Sequence, residues 1–411
     1  VIREIERRTG VTPVGQAVLV LALFAQVLGR VLRSEAVVLL AFGALGFFAV
    51  AWSLGRRRLG LSAERSSFPT RLREGQAVDV EVTLSPAKRV TTIVVEERLA
   101  PALGRAVRIP VASLGAGESA THRYRLRAGR RGVHDVGPLS AEWSDPFGLT
   151  RHRVQLAPAA PLIVHPSTEP VTDRVSSREW EDPPLRPPVS KPWPTGFEFY
   201  GMRDYVSGDD PRRIVWRAAA RHEEPKYLVR EAEQGITDRI NLFLDTDREW
   251  HSPGEPSETF ELAVKAAASL GMKHLHDGFS VSLDANGRRL AASLRGRNSG
   301  IPLLDALAAV STEKAPLRDA LSRLMHSPQG NAHNVVITPH LDRETATRLR
   351  LLLERGRSLL LVMVLWESSD FASLHRAGSL GCNVVELAAG APLERVFQRV
   401  VRAVRTVGTP Q

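Results

Sequence analysis

A chain of 411 residues exceeds one ordinary hydrophobic core, so two or three domains are expected. With 43% hydrophobic and 24% charged residues it is not largely disordered, and a mean hydropathy of -0.13 excludes a polytopic transporter. The net charge is +10, and residues 1–58 carry half of it, with 8 basic and 3 acidic side chains in the most hydrophobic part of the chain, which points to a membrane surface before nucleic acid.

The first two elements are charge-free runs. Thr9–Gly29 is 21 residues long and Ala36–Gly55 is 20, each enough to cross a hydrocarbon core as a helix. Only Arg30–Glu35 separates them, so the segment 1–58 reads as an antiparallel helical hairpin, a two-span anchor in the lipid bilayer. A cleaved signal peptide fits less well, because a second span follows at once. The initial Val1 reads as a GTG-encoded start or a trimmed end. Arg3, Arg7, Arg8, Arg56, Arg57 and Arg58 flank the outer ends, against Arg30 and Arg33 in the turn. The positive-inside rule then places both ends and all that follows in the cytoplasm, at the inner (plasma) membrane. A single cysteine, Cys382, agrees with a reducing compartment and excludes a Cys-cluster metal site.

Residues 59–165 read as short strands of an antiparallel β-sandwich. Val78, Val80, Val82 and Leu84 alternate with Asp79, Glu81 and Thr83; Val90–Leu99 is rich in β-branched residues; His122, Tyr124 and Leu126 alternate with Arg123, Arg125 and Arg127. The arginine stripe is either a solvated strand face or a binder of anionic surfaces or nucleic acid. Asp145-Pro-Phe-Gly-Leu149 closes the unit as a tight turn, with Asp145 at its first position, Pro146 next and Gly148 supplying the bend.

Residues 166–235 combine a Pro-rich strap over 166–195 with a dense charged signature. Gly208-Asp-Asp-Pro211 reads as a turn feeding a helix, with Asp209 or Asp210 capping it, Pro211 in its first position, and Ile214, Val215 and Trp216 on its buried side. Between 196 and 233 there are 7 basic and 8 acidic residues. Near-balance suggests internal ion pairs, such as Arg203 or Arg213 with Glu198, Asp204 or Asp209, rather than a one-signed nucleic-acid groove. Adjacent carboxylates rarely face one reacting atom, so a cap with a salt bridge is favoured over a catalytic dyad of Asp209 and Asp210.

The run Gly-Phe-Glu-Phe-Tyr-Gly-Met-Arg-Asp-Tyr205, then Gly-Asp-Asp-Pro-Arg-Arg-Ile-Val-Trp-Arg217, then Lys226-Tyr-Leu-Val-Arg-Glu231, resembles the signature of the bacterial "domain of unknown function 58" family. The Asp-Pro-Phe-Gly-Leu turn and the two preceding spans match that family's layout. The resemblance implies a membrane-anchored protein with a von Willebrand factor A-like C-terminal domain. It also implies as partners a MoxR-type AAA ATPase and a transglutaminase-like membrane protein, and no established enzymatic activity. Glu198, Arg203, Asp204, Asp209, Asp210, Arg213 and Trp216 would shape the surface particular to the family or pin it to the fold.

Residues 236–411 read as an α/β doubly wound sheet. Arg239–Asp245 is a buried strand ending in an acid. A helix covers 258–274, strands at 279–283 and 289–292 flank Asn286-Gly287 as a hairpin, and helices cover 301–310 and 316–325. Strands at 335–338, 359–365 and 383–387 alternate with helices around 342–355, 370–377 and 391–407. Ligands of such sheets gather beyond the carboxyl ends of the strands, where Asp245 stands. Metal-binding members of the wider fold carry Asp-x-Ser-x-Ser there, whereas this chain has Asp245-Thr-Asp-Arg-Glu249. Asp245, Asp247 and Glu249 could hold magnesium with Asp342 behind them, or form an exposed acidic loop beside Arg248. Neither a phosphate loop, a nucleophile elbow, a zinc motif nor a dinucleotide fingerprint is found. A non-enzymatic scaffold without a cofactor is the leading expectation. A metal-dependent adhesion module or enzyme is the first alternative, and an anionic-surface or nucleic-acid binder the second, with no specific nucleic-acid partner expected.

Overall fold

The computed structural model describes residues 9–56, 59–171, 199–206, 214–219, 227–232, 239–325, 332–355, 357–366 and 371–397. The chain divides into two compact units, Val1–Ser167 with Ala308–Val310 and Thr168–Leu307 with Ser311–Gln411.

The first unit opens with the hairpin. Helix α1 spans Pro13–Val31 and α2 spans Glu35–Gly55, and each is long and apolar enough to cross a membrane. Pro13 takes the first helical position, and the Thr12 hydroxyl caps α1 by accepting the Gly15 N–H. Most of the large apolar side chains face outward, including Val20, Leu23, Phe24, Leu39 and Leu40. The residues buried on the helices are small, namely Gly15, Ala22, Gly29, Ala41, Ala51 and Gly55. Gly29 lets α2 approach closely at Val38, whereas Gly15 and Gly55 are covered by Leu149 and Thr150.

Two sheets follow. One contains β1 (Leu61–Arg65), β3 (Ala77–Pro86) and β6 (Ala120–Arg127). The other runs in the order β2 (Arg71–Arg73), β9 (Ala160–His165), β7 (Gly132–Ser144), β4 (Val90–Leu99), β5 (Val107–Leu114), with β8 (Arg151–Ala157) also on β7. The sheets share a core in which Leu61, Val82 and Leu84 meet Ile93, Val95, Ile109, Val111, Leu139 and Ala141. Period-two alternation turns one face of β1, β3 and β6 inward, as the sequence predicts for β3 and β6.

That alternation also carries Glu97 inward, on the same face as Ile93 and Val95. Its side chain is wholly buried, with Arg65 Nη1 2.8 Å from Oε1 and the Tyr124 hydroxyl donating to Oε2 at 2.5 Å. Arg65 directs its own hydrogen bonds to the carbonyls of Val136 and Pro158, so its link to Glu97 is a charge contact more than a hydrogen bond. Burial, then the bond to Glu97, pushes the Tyr124 phenol well above its ordinary value.

In the second unit the sheet order is β14 (Arg289–Leu294), β13 (Ser280–Ala285), β12 (Arg239–Leu244), β15 (Ala332–Thr338), β16 (Ser358–Leu365), β17 (Asn383–Ala388). All pairings are parallel except β13 with β14. Helices cover both faces. Leu242 faces α4 (Glu258–His276) and α5 (Gly300–Ala309), where a Cβ on Gly271 would stand 2.5 Å from Leu303 Cδ2 and 3.3 Å from Leu242 Cδ1. Its neighbour Phe243 faces the opposite way, into a core with Val336, Leu361 and Met363 under α6 (Leu317–Met325), α7 (Arg343–Glu354) and α8 (Phe371–Gly378). The hydrophobic runs of the parallel strands follow from this two-sided burial. Asn286-Gly287 joins the one antiparallel pair, as expected.

Cys382 packs beside this core, and burial pushes its thiol up to about 11. Alkylation of the folded protein at neutral pH is accordingly expected to be far slower than alkylation in denaturant. Equal rates, followed by mass spectrometry, would contradict this placement.

Candidate functional site

Chain order reverses direction at β12: β13 lies on one side of it and β15 on the other. In open α/β sheets this is where a crevice forms beyond the strand ends, and Asp245 is the first residue past β12. It is 2% exposed and tied to three neighbours. Oδ1 accepts the Asn286 amide at 2.6 Å and the Asp247 N–H at 3.0 Å, and Oδ2 accepts the Thr338 hydroxyl at 2.6 Å. Asn286 and Thr338 follow or end β13 and β15, so the carboxyl ends of three adjacent strands converge on one carboxylate. His251 adds a ring N–O contact of 2.9 Å to the Asp245 carbonyl and one of 3.0 Å to Thr259. Burial holds the His251 imidazole below its ordinary value despite the nearby Asp245 charge.

Asp247 and Glu249 lie on the outgoing loop. Burial raises the Asp247 carboxyl, and repulsion from Asp245 and Glu249 adds to this against a hydrogen bond from the Glu249 N–H. Glu249 is exposed. Among the described residues no three His, Cys, Asp or Glu side chains gather so as to hold a metal ion, and the Asp245, Asp247 and Glu249 trio is no exception. Asp342 caps α7, accepting the Thr345 N–H at 2.6 Å.

Beside the acidic loop stands an aromatic platform. The Trp250 indole stacks on the His340 ring with centroids 3.6 Å apart and planes 6° from parallel. His340 is fixed by Ser373 of α8, 2.9 Å from Nδ1, while its carbonyl accepts the Thr338 hydroxyl that also reaches Asp245. Trp250 remains 38% exposed. Sequence reasoning left Asn286 as a hairpin residue and Thr338 without a role, and passed over His251, Trp250 and His340. The available signal was position, since each lies within a few residues of a strand's carboxyl end.

The charged signature folds partly as strand. β10 (Phe199–Asp204) pairs antiparallel with β11 (Leu228–Ala232), and the Val215 N–H donates to the Leu228 carbonyl. Among the described residues the helix expected after Pro211 is seen at Trp216–Ala219 (α3), and β-branched Ile214 and Val215 before it are taken up in extended pairing with β11. Trp216 is 61% exposed, packed edge-on against Tyr227 with centroids 5.9 Å apart, which corrects its expected burial. Asp204 is exposed at the end of β10. Arg203 lies on that strand, with its side chain outside what the structure describes. Glu198, Asp209, Asp210 and Arg213 lie outside the described residues, as does most of the Pro-rich strap.

On the basic strand β6, Arg123 and Arg125 stand opposite Glu81 and Asp79 of β3, and Arg123 pairs with Glu81 at 2.5 Å. Cross-strand acids thus offset part of the arginine stripe.

A family model described as "Protein of unknown function DUF58" matches residues 201–380. No curated protein matches the chain. Among solved structures, the CARDB domain of a Pyrococcus furiosus protein is similar at 16% identity and a TM-score of 0.19, over 26% of this chain and 94% of that one. A β-glucosidase from Listeria innocua is similar at 19% identity and a TM-score of 0.14, over 24% of this chain and 16% of that one.

Proposed function

This chain belongs to the DUF58 family of proteins of unknown function through residues 201–380, and from that premise we propose a membrane-anchored, non-enzymatic scaffold whose α/β unit docks a partner. The hairpin α1–α2 is its anchor, with the soluble parts on the cytoplasmic face of the inner membrane. Arginines at the outer ends of the hairpin support that orientation. The partner in this reading is a MoxR-type AAA ATPase, with a transglutaminase-like membrane protein in the same assembly, engaged in maturing an envelope complex. The α/β unit is read as von Willebrand factor A-like, which its strand order and its acidic residue past β12 support.

The observation that carries the docking role is the Trp250–His340 stack. A stacked, part-exposed aromatic pair near the strands' carboxyl ends is of the kind that serves as an interface hot spot. The carboxylate behind it is already bonded to Asn286, Thr338 and Asp247, which supports a structural use over a reactive one.

Affinity capture from solubilised membranes tests this. The native chain is expected to retain an AAA ATPase with or without ATP, and Trp250→Ala to lose at least tenfold of it, since an aromatic hot spot is worth about 2 kcal/mol or more. Recovery of no such ATPase, or full retention by Trp250→Ala, would refute the docking role. Calorimetric heat on adding magnesium, absent in Asp245→Ala, would instead favour the metal-dependent reading.

A further inference from the structure

The turn Asp145–Leu149 is sealed against the bases of both helices. The Thr12 hydroxyl donates to the carbonyls of Gly148 at 2.7 Å and Leu149 at 3.1 Å, the Thr12 N–H donates to Leu149, and the Arg151 N–H donates to Gly10. Gly15 lacks the Cβ that would collide with the Leu149 carbonyl, and Gly55 the one that would collide with Thr150 Oγ1. Within the turn, Asp145 accepts the N–H groups of Phe147 and Thr150 and the Thr150 hydroxyl through its carboxylate, and the Gly148 N–H through its carbonyl. Pro146 has no N–H to satisfy. The tip therefore presents few free backbone donors, and its leading side chain, Phe147, is 50% exposed.

Its depth can be read against α2. Arg56 lies over the Trp52 ring, 4.4 Å from the centroid, and the Trp143 indole donates to the Gly55 carbonyl at 2.8 Å. These tryptophans and the arginine mark a membrane–water boundary. Phe147 packs on Phe47, with ring centroids 4.5 Å apart. Phe47 is five residues nearer the hairpin tip than Trp52, or ~7.5 Å of helix rise. The turn thus reaches past the level of the boundary tryptophan.

We infer that Asp145–Leu149 is a third membrane contact, a wedge that carries Phe147 into the acyl region of the bilayer beside the bases of α1 and α2. The inference rests on the hairpin spanning a membrane. A turn whose donors are satisfied internally enters hydrocarbon without the penalty that an open loop would incur.

The test uses the full chain with Cys382→Ser, reconstituted in phosphatidylcholine–phosphatidylglycerol vesicles and labelled with an environment-sensitive fluorophore at one introduced cysteine. Phe147→Cys is the probe, at a tip whose shape is set by Asp145 and Thr12. Val20→Cys on α1 is the lipid-facing control, and Val133→Cys, ten residues along β7 from Trp143, is the water-facing control. The label at 147 is expected to emit to the blue of that at 133. It should be quenched by acyl-chain nitroxides and spared by iodide, as at 20. If 20 reports lipid while 147 reports water, the wedge is overturned and the spanning hairpin stands. If 20 also reports water, the spanning reading falls and the wedge falls with it.

Discussion

Arg65→Met is expected to destabilise the β unit by about 3–5 kcal/mol, the cost of leaving one member of a buried ion pair behind. Glu97 is fully enclosed by the two sheets, and Arg65 is the cation beside it, itself only 8% exposed. Without that cation the carboxylate retains the Tyr124 hydroxyl alone, and the carbonyls of Val136 and Pro158 lose their donor. Glu97→Gln should cost less, since the amide oxygen still accepts from Tyr124 and the Arg65 guanidinium keeps its two carbonyls. The Arg65→Met/Glu97→Leu pair should regain a large part of the loss, because an apolar replacement of both charges avoids the unpaired carboxylate. Hydrogen exchange of β4 and β6 peptides in the intact chain reads this locally, where a global unfolding midpoint would mix several units. A loss under about 1 kcal/mol for Arg65→Met would show that water reaches Glu97 and that the pair is effectively a surface one.

The same strand shows what the sequence discloses and what it withholds. Ile93, Val95 and Glu97 share parity, so an inward carboxylate on β4 was readable; its partner was not, because Arg65 lies 32 positions earlier on a strand of the other sheet. The two helices were legible from the charge-free runs alone, since a run of 20 apolar and uncharged residues needs no distant partner to be recognised. Strand–helix alternation and Asn286-Gly287 likewise gave the order of the C-terminal elements, and Asp245, read as the last residue of its strand, is the first residue beyond it. The convergence of Asn286 and Thr338 on that carboxylate depends on sheet order, which alternation does not fix. The signature region was harder. Ile214-Val215 precedes Trp-Arg-Ala-Ala-Ala220, a strong helix-forming run, and the helical propensity of the alanines masked the extended pairing of the two β-branched residues. The Asp145–Leu149 turn was recognised from its own residues, but it joins β7 to β8 and does not close the unit, since β8 and β9 return to the same sheet. Its attachment to Thr12 spans 136 positions, beyond any local pattern.

The second large effect is a loss of stability of the α/β unit in acid. His274 is fully buried on α4, bonded through Nδ1 to the Leu270 carbonyl at 2.7 Å and set edge-on to Phe279. Burial, against the opposing pull of that carbonyl, brings its imidazole from 6.5 down to about 4. Above pH 6.5 neither the folded nor the unfolded chain protonates this ring, and the stability is complete. Between 6.5 and 4 the unfolded chain takes up a proton that the folded one refuses, so stability falls by about 1.4 kcal/mol per pH unit, roughly 3 kcal/mol across the window. Below about 4 both states are protonated and the slope from this ring disappears. His251 is lowered by burial too and adds to the loss with the same sign. Asp247 works the other way, because its carboxyl is raised in the folded state and acid relieves it. Hydrogen exchange of α4 and β12 peptides at fixed temperature between pH 7 and 4 should follow this curve. His274→Leu, which keeps the packing against Phe279 without a titrating ring, should flatten most of it. An unchanged slope in His274→Leu would mean that the ring is already protonated or hydrated in the native state, and that the interior of α4 is more open to water than its burial indicates.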